Sequence, residues 1–193
     1  MTSTTVRLCS ALVLVSLAAG PALAHVTPPV VLLSDRDAVV GLLGGARRLF
    51  VREVKLSPEQ RRAVAQRSGS SPDESFYRFY LGRDDQGRLV GAMVFVTEYT
   101  LHGPVRVAVG LSPDGKVRGA TVIELTEETY PWVKPLIDRN FTRDYVGLDS
   151  HGSFALKQTG VNDMTHFYGE VVASLIQRAA LLYELALDAS SKT

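Results

Sequence analysis

The stretch Gly82-Arg83-Asp84-Asp85-Gln86-Gly87-Arg88-Leu89-Val90-Gly91-Ala92 is answered 28 residues later by Gly110-Leu111-Ser112-Pro113-Asp114-Gly115-Lys116-Val117-Arg118-Gly119-Ala120. Three glycines keep their spacing, Val94-Phe95 corresponds to Val122-Ile123, and both copies run into Thr-Glu. The first closes with Thr97-Glu98-Tyr99-Thr100 and the second, after one inserted residue, with Thr126-Glu127-Glu128-Thr129. A polar loop closed by glycine between two apolar runs is a β-hairpin signal. The doubled pattern therefore predicts two similar hairpins side by side in one antiparallel sheet, with their Thr/Glu clusters delivered to nearby edges. Such an arrangement can make a ligand site.

Working outward, the β section runs from Phe76 to about Leu125 in four segments, joined by residues 83–87, 100–104 and 112–115. Val105, Val107, Val109 and Leu111 alternate with Arg106, Ala108 and Gly110, so one face of that strand is apolar and the other has small residues near its end. A small face permits close approach of a flat ligand, or accommodates twist or a packed helix. Beyond the sheet, Glu127 to Phe141 reads as a short helical or irregular stretch interrupted by Pro131 and Pro135, and residues 142–158 are polar. From Met164 to about Asp188, apolar residues recur at spacings of three and four, which predicts a long helix packed across the sheet. Asn162 or Asp163 suits its N-cap, where free N–H groups and the helix dipole favour an anion.

Ahead of the sheet, Ser34 with Asp37 marks the start of a helix ending near Gly44-Gly45. Residues 49–56 are β-like. Ser57-Pro58-Glu59-Gln60 then opens a second helix to about Arg67, and residues 69–73 carry turn chemistry. The fold class expected is α+β: an antiparallel sheet of two similar β-hairpins packed by a long C-terminal helix, with an N-terminal helical segment. Residues 25–193 form a single domain, with an α-rich part at 25–75 and the hairpin sheet and C-terminal helix at 76–193.

Residues 1–24 have the form of an export signal, with Arg7, an apolar run from Leu8 to Leu17 and the small-x-small site Ala22-Leu23-Ala24. Cleavage after Ala24 predicts a periplasmic or extracellular protein and removes 24 of 193 residues, leaving 169, enough for one domain with a proper core. It also removes Cys9, the one cysteine, and with it disulfides and cysteine chemistry. The remaining charge is close to zero and basic residues are interspersed with acidic ones, so no nucleic acid partner is expected.

No Ser/His/Asp arrangement, P-loop or dinucleotide fingerprint is present, and no catalytic residue is assigned. His25, His102, His151 and His166 lack metal-ligand spacing, and no metal site is assigned. A His25 freed at the N-terminus can bind copper through its amine and imidazole, or be an ordinary exposed residue. Trp132, following Tyr130-Pro131, is either a core residue or an aromatic face for a planar ligand. His102-Gly103-Pro104 is a turn before a strand, in which His102 can also offer a donor.

His102-Gly103-Pro104-Val105 through Gly110, Asp114-Gly115-Lys116-Val117 and Glu128-Thr129 together resemble the FMN-binding domain of exported flavin-carrying subunits of the Rnf and sodium-pumping NADH:quinone reductase complexes. The resemblance spans about residues 88 to 185. In that family a Ser/Thr-Gly-Ala-Thr motif follows at the start of a helix, and its last threonine often carries FMN as a phosphoester. Here Thr159-Gly160-Val161-Asn162 stands in its place, with Leu156 where an acidic residue is expected. Asn162 cannot form the ester, and Thr165 is off the expected spacing. The resemblance thus implies non-covalent FMN as cofactor, with Glu128 and Thr129 near the ring and Thr159, Gly160 and Asn162 near the phosphate. His102, Gly103, Trp132 and Thr165 complete the candidate site. The implied role is electron transfer, with a membrane redox complex or an exported redox protein as partner. The alternative is an exported module of the same fold that has lost flavin and binds another small ligand or a protein.

Overall fold

A computed structural model describes residues 27–69, 72, 74, 76–157 and 160–185. The expected export signal, His25 and Thr159 lie outside the described residues. Six strands form one antiparallel sheet, β1 (Pro29–Val31), β2 (Arg48–Val54), β3 (Tyr77–Arg83), β4 (Leu89–Thr100), β5 (Gly103–Leu111) and β6 (Val117–Thr126), in the order β1-β6-β5-β4-β3-β2. The described helices are α1 (Asp35–Leu42), α2 (Pro58–Ser68), α3 (Tyr130–Asp138) and α4 (Asp163–Tyr183), with a 3-10 turn at Phe141–Tyr145. The architecture is α+β, as the sequence predicts.

The repeat is repeated in the backbone. Gly82 faces Gly91 across β3 and β4, Gly110 faces Gly119 across β5 and β6, and the register shifts by one residue immediately after Gly82 and after Gly110. Both loops close the same way: Gly87 donates to the Asp84 carbonyl at 3.1 Å and Gly115 to the Ser112 carbonyl at 2.9 Å. Gly87 and Gly115 have φ of 79° and 80°, a left-handed conformation that costs glycine nothing. Asp84 and Ser112 also accept backbone N–H bonds through their side chains.

Strand alternation divides the sheet into two differently covered faces. On one, Val94, Val96, Val105, Val107, Val109 and Leu111 are fully buried beneath α4, whose Tyr168, Val172, Leu175, Ile176, Ala179 and Leu182 form the facing stripe. Burying these six aliphatic side chains contributes on the order of 10 kcal/mol before chain entropy is subtracted. The other face carries Met93, Ala108 and Ile123 against Ala38, Val39 and Leu43 of the α1 segment.

That second face answers the small-residue question. A Cβ on Gly110 would stand 3.0 Å from Leu42 Cβ, and one on Gly119 would stand 3.2 Å from Leu42 Cδ2. The glycines let α1 lie close on the sheet, so no flat ligand is needed to explain them.

The N-terminal part is less purely helical than its sequence suggests. Its two helices begin where the caps indicate, with Ser34 accepting from Asp37 N–H and Ser57 forming a reciprocal capping box with Gln60. It also supplies both edge strands. β1 pairs with β6 and β2 with β3, so the four-stranded expectation becomes six. Residues 142–157 hold a core element too: Tyr145 and Phe154 are buried and stack at 5.7 Å and 15°. No described helix is long and apolar enough to cross a membrane.

Candidate functional site

β4 and β6 run in the same direction on either side of β5, so the two Thr-Glu ends emerge at one end of the sheet. There the tight β4–β5 turn and the first turns of α4 bound an open groove of about 770 Å³. Its sheet side is Glu98, Tyr99, Thr100, Leu101 and His102; its helix side is Met164, Phe167, Glu170, Val171 and Ser174, with Ser68 and Gly69 at one end. Tyr99, Leu101 and Phe167 are largely exposed although apolar, at 67, 101 and 50%. A cleft of this size with apolar walls and a few polar groups has the dimensions of a small-ligand site.

Hydrogen bonds fix the turn. Thr100 Oγ1 donates to the Gly103 carbonyl at 2.8 Å and accepts from His102 N–H at 3.2 Å. Having spent its one proton, that hydroxyl accepts from Tyr168 Oη at 3.2 Å, which ties α4 to the turn. Burial raises the Tyr168 phenol above its ordinary range, offset by the Thr100 hydrogen bond and reinforced by Glu128, so it stays protonated as this donor.

His102 Nδ1 lies 2.7 Å from Glu128 Oε1. A carboxylate oxygen accepts, so Nδ1 carries the hydrogen and Nε2 is the ring's remaining polar atom. The imidazole meets Trp132 edge-on at 5.0 Å, and Trp132 stacks on Tyr168 at 5.5 Å and 15°. One indole face is thus occupied by the protein's own Tyr168, which favours the packing reading of Trp132 over a free platform. Trp132 packs against the core and is not among the residues lining the groove.

Gly103 and Thr129 are structural. A Cβ on Gly103, where φ is 99°, would stand 2.5 Å from Thr126 Cγ2. This closeness lets Thr126 Oγ1 donate to the His102 carbonyl at 2.8 Å. Thr129 is fully buried; its hydroxyl donates to the Thr126 carbonyl and accepts Thr126 N–H, both at 3.1 Å. That closed pair anchors the start of α3 and offers no group to a ligand.

At the helix end, Asn162 caps α4 by accepting Thr165 N–H at 2.8 Å. Gly160 precedes it in a left-handed conformation with φ of 71°. Thr165 is buried, and its Oγ1 has no hydrogen-bond partner among the described residues. Of the expected residues, then, His102 lines the groove with Glu128 bonded behind it, and Asn162 and Thr165 stand at the start of the helix that forms the other wall. Sequence reasoning missed Phe167, Met164, Leu101 and Tyr168. The spacing of Met164, Phe167 and Val171 did place them on the helix, but only the fold sets that side against residues 98–102.

Behind Glu98 of the groove, Arg178 is buried in the C-terminal third of α4 at 1% exposure, donating to the Thr97 carbonyl at 3.1 Å and to the Glu98 carboxylate. The charged side chains lining the groove itself are Glu98 and Glu170, and among the described residues no group of three or more His, Cys, Asp or Glu could hold a metal ion. No protein-family model matches this chain, and no curated protein does.

Proposed function

We propose that the protein is an exported electron-transfer module that holds FMN non-covalently in the groove between the β4–β5 turn and α4. The observation that carries this reading is a convergence. His102 in the hairpin half of the FMN-domain resemblance and Met164 and Phe167, within two turns of the altered attachment motif, line one groove. The volume suits a flavin-sized group, and Phe167, Leu101, Tyr99 and Met164 give it apolar walls. Asn162 satisfies one of the first N–H groups of α4, and those of Asp163 and Met164 are left by helix geometry for an anion or solvent. The Thr165 hydroxyl, which has no partner among the described residues, lies in the same turn. These residues fit the group: Phe167 and His102 would hold the ring, and the start of α4 would face the phosphate. When bound, the flavin supplies the redox chemistry, while the chain supplies binding, orientation and electrostatics. The electron partner would be a membrane redox complex or another exported redox protein.

A specific observation favours a second reading, a module that takes a neutral planar ligand or a protein instead. The groove's charged lining is Glu98 and Glu170, with no lysine or arginine to meet a phosphate dianion. Visible spectra of the purified protein, with acid precipitation and titration of both FMN and riboflavin, separate these. Yellow colour released to the acid supernatant, with FMN bound more tightly than riboflavin, is the expected result. Colour retained in the pellet would mean covalent flavin. Equal affinity for riboflavin would remove the phosphate from the site, and a colourless protein that quenches neither flavin would sink the flavin reading altogether.

A further inference from the structure

The two edges of the sheet are treated differently. β1, at one end, is three residues long and begins with Pro29, the short, donor-poor form that blocks further pairing. β2, at the other, pairs with β3 over seven consecutive residues without a bulge. It contains no proline, and it exposes Leu49, Phe50 and Val51 at 52, 48 and 58%. Among the described residues no hydrogen bond is made to the outer side of this strand. A regular edge without a bulge, carrying three consecutive exposed apolar residues, is a template for another strand.

We propose that β2 is the contact through which two copies of this chain pair, antiparallel, into one continuous twelve-stranded sheet about a two-fold axis at Val51. The sequence of the strand argues for its own copy as partner. Such an axis stands perpendicular to the sheet and preserves its faces, so residues with the same orientation meet. Centred on Val51, the pairing sets Val51 against Val51 and Phe50 against Arg52, an aromatic ring against a guanidinium, twice over. It sets Leu49 against Glu53 and Arg48 against Val54, so no two like charges stand opposite each other. Shifting the centre to Phe50 would oppose Arg48 and Arg52 twice, and shifting it to Arg52 would oppose that arginine to itself. The Val51 centre is therefore the register that pairs all seven residues of Arg48-Leu49-Phe50-Val51-Arg52-Glu53-Val54 and opposes no like charges. The interface lies on the far edge from β6, and it makes no use of the groove.

Light scattering after size exclusion, over a dilution series of the full chain, tests this. Twice the chain mass is expected, falling to the single mass for Val51→Asp, which places two carboxylates on the axis at an exposed position and leaves the circular dichroism unchanged. In a Cys9→Ser background, Val51→Cys should crosslink to itself on mild oxidation, because facing Cα atoms in an antiparallel pair fall within disulfide reach, whereas Leu49→Cys, facing Glu53, should crosslink at least tenfold less. A monomer at every concentration, a dimer that survives Val51→Asp, or equal crosslinking at positions 49 and 51 would each overturn the proposal.

Discussion

Arg178, in the C-terminal third of α4, reaches the carboxylate of Glu98 at the end of β4, and this largely buried contact pins the long helix to the sheet beside the groove. Its second amino group holds the Thr97 carbonyl, so one side chain fixes two consecutive residues of the strand. Removing one partner of such a pair strands the other in a low-dielectric site. Glu98→Gln, which leaves the buried Arg178 cation without its carboxylate, should cost about 3 kcal/mol in urea unfolding. Arg178→Met, which removes the buried charge and leaves only the partly exposed Glu98 behind, should cost less, about 1 kcal/mol. Equal losses for the two would show that the contact acts through packing and not through charge.

Gly103 is required by two constraints at once, its φ of 99° and the 2.5 Å approach of Thr126 Cγ2 to any Cβ. Gly103→Ala should destabilise the fold by about 2 kcal/mol or more. Thr126→Ser removes the methyl group and keeps the hydroxyl that donates to the His102 carbonyl. The double variant should therefore recover about 1 kcal/mol relative to the sum of the singles. Strict additivity would mean that backbone strain, and not the methyl contact, sets the cost.

The parts of this fold legible in the sequence are those written in local chemistry. The glycine-closed loops, the period-two run of β5, and the Ser34, Ser57 and Asn162 caps each act within a few residues, and each stands where the sequence places it. The run that becomes β2 was also visible as β-like. The membership of β1 and β2 in the sheet was not, because edge pairing with β6 and β3 leaves no local trace. The same limit hid α1 behind the small face of β5 and Tyr168 behind Trp132. It also divided the candidate site: His102 with Glu128 could be paired by their places on neighbouring strand ends, whereas the groove joins residues 68–69, 98–102 and 164–174, which only the packing of α4 brings together.

Tyr145 is fully buried, and its phenol is raised well above the ordinary value of 10.0, chiefly by desolvation and further by the Glu170 and Asp144 carboxylates. The folded state therefore prefers the neutral phenol. The unfolded chain releases its proton near pH 10, so stability from this group is complete below that pH and declines as pH rises beyond it. In wild type, unfolding free energy should fall more steeply above pH 10 than in Tyr145→Phe. A parallel decline in both would assign the alkaline loss to other groups.

Trp132 is the only tryptophan in the chain, and its contacts with His102 and Tyr168 place it one residue behind the groove wall. Flavin entering the groove should quench its emission, which gives a titration independent of visible colour. Phe167 is half-exposed and contributes little to the core, so Phe167→Ala removes groove wall without a comparable loss of stability. It should raise the Kd for FMN about tenfold, equivalent to about 1.4 kcal/mol. Phe50→Ser, on the β2 edge, serves as the control and should leave the titration curve unchanged. His102→Ala is expected to weaken binding as well, but it also frees Glu128 and one edge contact of the indole, so its effect on the unliganded emission must be measured first. If Phe167→Ala binds FMN as the wild type does while quenching persists, the flavin sits near Trp132 by some route other than this groove, and the convergence of His102 with Met164 and Phe167 loses its functional meaning.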